Sequence, residues 1–268
     1  MDIKRYISGL IGFPLLACIF ILGNIYIVDV AFSIIAILSI YEFYKSFKAK
    51  NKPIEWVGYG MAVFIAFLHI IPEGYVMPII EVLIPLVVLI LFIHVIISNM
   101  KINVMDMAVS LFGICYIVVF TMFLSLIYSK ANGKILIWYV VFSAWGTDIL
   151  AYLIGKKFGK HKLKSKVSPN KSIEGCIAGI FGSIILVMIY TIFVNNVFNL
   201  QVSYIFALMF AIVASIIGQI GDFAASSVKR YNDIKDFSHL IPGHGGMLDR
   251  FDSVIFIAPF AYFLLSLI

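Results

Sequence analysis

Near the C-terminus of this 268-residue chain, a handful of side chains have the types and spacing for chemistry. Asp222, Ser226 and Lys229 recur at i, i+4 and i+7, which places them on one face of a helix. Asp249 and Asp252 follow at i and i+3, at the start of the next apolar stretch. If the two helix ends meet, carboxylates gather beside Lys229, Arg230 and Arg250. Clustered carboxylates repel one another unless a cation sits between them, and hard oxygen donors suit Mg²⁺. A metal flanked by cations is what a phosphate-transfer site requires, because the charge on the transferred group must be neutralised. Asp222, Asp249 and Asp252 are therefore candidate metal ligands. Asp222, Ser226, Lys229, Arg230, Asp249 and Arg250 are candidate catalytic residues. The competing reading is that Asp249 and Asp252 only complement the positive end of their helix.

The segment joining these helices contains Lys235, Asp236, Pro242, His244, Gly245 and Gly246. Its glycines allow backbone to approach a ligand closely and to present N–H groups to phosphate, or else they make a tight re-entry turn. His244 would bind phosphate or hold the loop. A second polar island begins at Asp148, two turns inside an apolar helix beside Thr147 and Tyr152. An ionisable group at that depth is functional by default, the alternative being a hydrogen-bonded buried acid. The following loop is rich in lysine, which suits topology and anionic lipid headgroups. Ser168, Lys171, Ser172 and Glu174 lie where that loop re-enters the apolar region. Asp148, Ser168, Lys171, Ser172, Lys235, Asp236, His244, Gly245 and Gly246 are the candidate substrate-binding residues. Asp29, Glu42, Glu81, Asp106, His69 and His94 are scattered without shared spacing, and Glu42 is near enough to Lys45 to pair with it.

The elements that position these groups follow from composition. The chain is 62% hydrophobic and 13% charged, with a mean hydropathy of +1.06. Continuous apolar runs predict an all-α, polytopic integral membrane protein rather than a barrel, since only helices satisfy every backbone group within one segment. About nine transmembrane helices are expected, near 6–23, 25–46, 55–72, 76–98, 104–128, 134–154, 173–194, 200–228 and 248–268. With the N-terminus in the cytoplasm and the C-terminus outside, 18 of the 20 Lys and Arg residues fall on the cytoplasmic side, the exceptions being Lys130 and Lys134. The net charge of +6 is then a topology signal, and no nucleic-acid partner is needed to explain it. Cys18, Cys115 and Cys176 lie inside spans at a spacing that matches no metal motif, so packing is their expected role. The run Leu15–Cys18 loosely resembles a lipoprotein cleavage site, but the chain stays apolar beyond it, and 6–23 reads as a retained helix. One integral domain is expected, with residues 1–130 as N-terminal helices and 131–268 carrying the chemistry.

The segment Ser226–Asp252 resembles the signature of the phosphatidate cytidylyltransferases, the CDP-diglyceride synthetases. Ser226, Val228, Lys229, Arg230, Lys235, Asp236, Ser238, Pro242, His244, Gly245, Gly246, Asp249, Arg250 and Asp252 all stand in register, preceded by Gly221-Asp222. The stretch from Trp145 through Ser168-Pro169-Asn170-Lys171-Ser172 to Gly175 is similar to the family's second conserved region. There Ile149 replaces a small hydroxyl residue, and Asn170 and Ser172 replace Lys and Thr. The resemblance implies an enzyme of the cell (inner or plasma) membrane, with its active site facing the cytoplasm. It implies that CTP and phosphatidic acid give CDP-diacylglycerol and pyrophosphate with Mg²⁺, at one or two metal sites or with an additional monovalent cation. It also implies Asp222 and Asp249 as metal ligands, Ser226 and Lys229 beside the phosphates, and a homodimer. A CTP-dependent lipid kinase, a synthase acting on ether-linked lipid, and a transporter of phosphorylated solutes are the rival readings. The last is disfavoured because no internal repeat is visible and the polar residues cluster at one edge.

Overall fold

The computed structural model describes residues 3–99, 101–163, 167–241, 243 and 245–267. Helices account for all regular structure among them, apart from two isolated β-bridges. The helices are α1 (Ile3–Leu22), α2 (Ile25–Phe47), α3 (Glu55–Ile65), α4 (Glu73–Ile97), α5 (Val104–Gly113), α6 (Phe120–Tyr128), α7 (Gly133–Phe158), α8 (Ile173–Phe198), α9 (Tyr204–Tyr231) and α10 (Leu248–Leu264). A π-helical segment, Ile114–Val119, joins α5 to α6 without a break. Seven segments among the described residues are long and apolar enough to cross a bilayer: Ile25–Phe47, Gly74–Ile97, Val104–Tyr128, Gly133–Phe158, Ile173–Phe198, Tyr204–Tyr231 and Leu248–Leu267.

The expected span at 55–72 takes a different form. Helix α3 stops at Ile65, and a short 3-10 turn, Leu68–Ile70, follows before Pro72. The cause is a buried acid. Asp29 of α2 is fully enclosed and accepts hydrogen bonds from the His69 backbone N–H (3.3 Å), the His69 ring at Nδ1 (2.8 Å) and the Ser125 hydroxyl. Turning the chain so that backbone and ring both reach Asp29 satisfies a carboxylate that would otherwise be costly to bury. A continuous helix would have spent that N–H on its own turn.

The chain divides into two compact units. The first comprises Met1–Ser125 and Tyr231–Arg250. Its core is aromatic: Phe43 of α2 packs on Phe47, Phe112 and Tyr116 at centroid distances of 4.9, 5.7 and 6.5 Å. Tyr44 donates to the Ser110 carbonyl (2.9 Å), and Ser33 donates to Ala62 O (2.9 Å), tying α2 to α5 and α3. Asp106 is accounted for locally: it forms a capping box with Asn103 at the start of α5 and also accepts from Lys52 N at 2.7 Å.

The second unit comprises Leu126–Arg230 and Phe251–Ile268. Here α7 and α8 pack through glycine. Gly146 meets the backbone of Gly182, Gly179 meets Thr147, and Gly155 meets Gly175, so the two backbones come close with no side chain between them. Hydroxyl bonds join the helices further: Thr147 to Ser215 (2.8 Å), Ser183 to Ala211 O (2.9 Å) and Tyr139 to Thr191 (3.1 Å). Gly218 and Gly221 of α9 likewise admit Ile257 and Phe256 of α10.

Candidate active site

Within the second unit, the described residues on either side of the lysine-rich loop after α7 pair with each other. Leu163 N donates to Lys171 O (3.1 Å), Ile173 N donates to His161 O (2.9 Å), and Lys162 bridges to Ser172 in an antiparallel pair. The Glu174 carboxylate accepts from the His161 ring at 2.5 Å, which fastens the turn to the start of α8. Ser172 is buried and is the N-cap of α8, accepting from Gly175 N at 3.2 Å. This return places Lys171 at α9, where its ammonium pairs with Asp222 and lies 3.9 Å from the centre of the Phe223 ring.

A cavity of about 560 Å³ opens at this point, lined by residues that include Asp148, Lys156, Lys162, Lys171, Gln219 and Asp222. Its walls combine acids with lysines, the pairing that a bound polyphosphate and its counter-cation would need. Ser226 Oγ lies 3.5 Å from Asp222 Oδ1, one turn further along α9. Asp252 is buried in α10, with its Oδ1 accepting from Ser253 N at 2.7 Å. Asp148, Asp222 and Ser226 thus form one polar neighbourhood inside the second unit. Arg230 is exposed and its Nε reaches Val167 O at 3.3 Å, tying the end of α9 to the loop. Ser168 contributes a carbonyl to Lys171 N at 3.3 Å.

The remaining candidates belong to the first unit. Lys235 and Arg250 are exposed, and Asp236 is half-buried. Asp249 Oδ2 accepts from Phe237 N (2.9 Å) and Gly246 N (3.0 Å). Ile241 N donates to Gly245 O (2.9 Å), closing a small turn in which Gly243 and Gly245 take positive φ angles of 78° and 86°. Glycine is favoured at both for that reason. Gly246 keeps an ordinary backbone but is enclosed, and its N–H is engaged by Asp249. Pro242 and His244 lie outside the described residues.

Hard carboxylate oxygens at Asp148, Asp222 and Asp252 suit a divalent cation such as Mg²⁺, and the Lys171 ammonium against Asp222 shows that this spot accepts positive charge. Among the described residues, no group of three or more His, Cys, Asp or Glu side chains is already drawn together in metal-holding geometry.

Two participants had no local signal. Gln219 lines the cavity and donates to Cys176 O (3.1 Å), and a polar amide in an apolar helix is the only hint the sequence offers. Glu42 is fully buried and contacts the loop before α10, not Lys45. In the sequence, only an acid within an otherwise apolar helix marks it.

Comparison with known proteins places the chain among named relatives. The chain is 44% identical over 135 residues to the phosphatidate cytidylyltransferase of Bacillus subtilis (strain 168), covering 50% of this chain and 49% of that protein. It is 38% identical over 176 residues to the protein of that name from Staphylococcus haemolyticus (strain JCSC1435), covering 66% and 65% of the two chains. The Staphylococcus aureus (strain COL) protein of that name is 38% identical over 172 residues, covering 64% of each. The matched regions thus span about half to two thirds of these relatives. Residues 3–268 match the sequence model described as the cytidylyltransferase family, and the chain belongs to that family.

Proposed function

We propose that this protein is a phosphatidate cytidylyltransferase, transferring the cytidylyl group of CTP to phosphatidic acid. A phosphate oxygen of phosphatidic acid attacks the α-phosphorus of CTP. The bond from that phosphorus to the bridging β-phosphate oxygen breaks, and CDP-diacylglycerol and pyrophosphate result. The observation that carries the reading is the cavity at Asp222, where lysines and carboxylates meet within helices that are themselves apolar enough for a bilayer. A lipid phosphate and a water-soluble triphosphate can meet only at such an edge.

The chain's own residues act by positioning and charge compensation, since phosphoryl-type transfer needs little covalent help. Lys229, Arg230 and Arg250 hold phosphate oxygens, and the Lys171 ammonium, held by Asp222, meets the negative charge of the triphosphate. Ser226 and Lys229 adjoin the reacting phosphates. By resemblance to the family, Ser168, Ser172, Lys235, Asp236, His244, Gly245 and Gly246 are the substrate-binding residues, and Asp148 completes the polar wall of the cavity. Asp222 and Asp249 are assigned as Mg²⁺ ligands from the signature, with Asp252 in support. Bound there, Mg²⁺ would neutralise the triphosphate and the departing pyrophosphate. We assign nine membrane segments by adding α1 and the broken segment 55–70 to the seven long spans. The N-terminus and the active site face the cytoplasm, which the distribution of Lys and Arg supports. A homodimer in the cell membrane follows from the resemblance alone.

The test supplies purified protein with phosphatidic acid, Mg²⁺ and CTP labelled at either the α- or the γ-phosphorus. Label should enter lipid from α-labelled CTP alone. Transfer from γ-labelled CTP would identify a kinase instead, and absence of labelled lipid from both would overturn the assignment.

A further inference from the structure

Glu42 lies near the C-terminal end of the apolar helix α2, yet none of its surface is exposed. Its partners lie some 200 residues away. Oε1 accepts from the Ser238 hydroxyl at 2.5 Å and from Met247 N at 2.9 Å. Oε2 accepts from Leu248 N at 2.9 Å. Leu248 is the first residue of α10, so two of the donors are orphan N–H groups at a helix start, which would otherwise remain unsatisfied in an apolar setting. A carboxylate is also the favoured charge at that end of a helix. The cap of α10 is therefore supplied by α2 rather than by the preceding chain.

The contact also explains a glycine. A Cβ on Gly246 would stand 2.5 Å from Glu42 Oε2, so the loop can seat against this acid only without a side chain there. The N–H groups of residues 246, 247 and 248 thus go in sequence to Asp249, Glu42 and Glu42. One acid from within the loop's own helix and one from α2 fix the whole turn.

We propose that Glu42 is a positioning residue: it clamps the loop before α10 and so fixes where Asp249 and Arg250 are presented for reaction. The clamp couples an N-terminal helix, otherwise without chemistry, to the segment that carries the family signature. The inference rests on the proposed cytidylyl transfer for its kinetic consequence and on hydrogen bonding alone for its structural one.

The experiment has an arm for each. Glu42→Gln keeps the shape and one acceptor oxygen but places an amide NH₂ against a donor. Ser238→Ala removes one bond and leaves the carboxylate. Hydrogen exchange, followed by mass spectrometry on full-length protein in detergent, should show faster exchange in the peptide containing Met247 and Leu248 for Glu42→Gln. Activity per folded molecule should fall about 10- to 100-fold through kcat, with KM for CTP within about twofold, the scale expected for a misplacement of ~1 Å. Ser238→Ala should fall by less, and the double variant by less than the product of the two, because both act on one clamp. Unchanged exchange in Glu42→Gln overturns the clamp. Faster exchange with unchanged kcat per folded molecule overturns the positioning role and leaves a purely structural one. If Glu42→Gln does not fold, the exchange and kcat of Ser238→Ala decide by the same criteria. Should the unmodified protein make no cytidylylated lipid, the proposed reaction fails, and the exchange arm alone still decides the clamp.

Discussion

Asp222 and Asp249 are both acids of the signature region, but the structure gives them different surroundings. Asp222 faces a cavity and pairs with Lys171, while Asp249 gathers two backbone N–H groups from its own loop. Asp222→Asn removes charge from a ligand-facing position. Asp249→Asn keeps an acceptor oxygen for Phe237 and Gly246, so its loop should survive while the charge proposed to bind metal is lost. Both variants should insert and melt near the wild-type temperature yet form no CDP-lipid, and near-normal turnover in either would remove it from the metal-ligand assignment. Lys171→Met should lower kcat/KM for CTP by about 10²- to 10³-fold, the scale of losing one preorganised charge partner. A change below threefold would mean that its pairing with Asp222 is only structural. The residues with legible roles are those whose partners lie close by in sequence or on one helix face. The shared helix face of Asp222 and Ser226 was legible from spacing, and Lys171 stood out by its place at a membrane re-entry, while the roles of all three rest on the proposed function. Glu42 was not legible, because its partners are 196 to 206 residues distant and its nearest lysine offered a plausible local answer.

At the scale of the element, the long apolar helices followed from composition, and their observed ends differ from expectation by only a few residues. The break within 55–72 has a physical source: hydropathy registers apolar length but not the demand of Asp29, whose partners include the backbone N–H of His69. The glycines of α7 and α8 are equally silent in a hydropathy profile, yet they decide how the helices meet. A Cβ at Gly146 would run into the Gly182 backbone, and one at Gly182 into that of Gly146. Gly146→Val and Gly182→Val should each destabilise the protein by about 1–3 kcal/mol or more, because neither helix backbone can yield without moving the whole packed pair. Gly60 of α3 is the control, with nothing within 4 Å of its Cβ position. Gly60→Ala should hold or raise the melting temperature through helix propensity. Melting in detergent by intrinsic fluorescence reads all three, and equal melting temperatures would show that close approach at the seam contributes nothing.

Across the whole molecule, the sequence property with the widest reach is the distribution of positive charge. The proposed orientation puts Lys130 on the outer side, where its ammonium lies 4.2 Å from the centre of the Tyr262 ring and burial holds its pKa below the usual lysine range. The exception to the charge rule thus sits against an aromatic ring within the second unit rather than standing fully in water. The orientation then makes a direct prediction for single cysteines placed in a background lacking Cys18, Cys115 and Cys176. Ala131→Cys, between spans, and Asn196→Cys, in the last turn of α8, are exposed on the proposed outer side, and Lys160→Cys is exposed in the loop that carries Lys171. In intact cells a membrane-impermeant maleimide should label positions 131 and 196 and leave 160 unmodified until the membrane is opened. The same reagent on inside-out vesicles should give the reverse. Labelling of position 160 from outside would place the Lys171–Asp222 cavity away from the nucleotide pool, and a reaction with cytosolic CTP could not take place there.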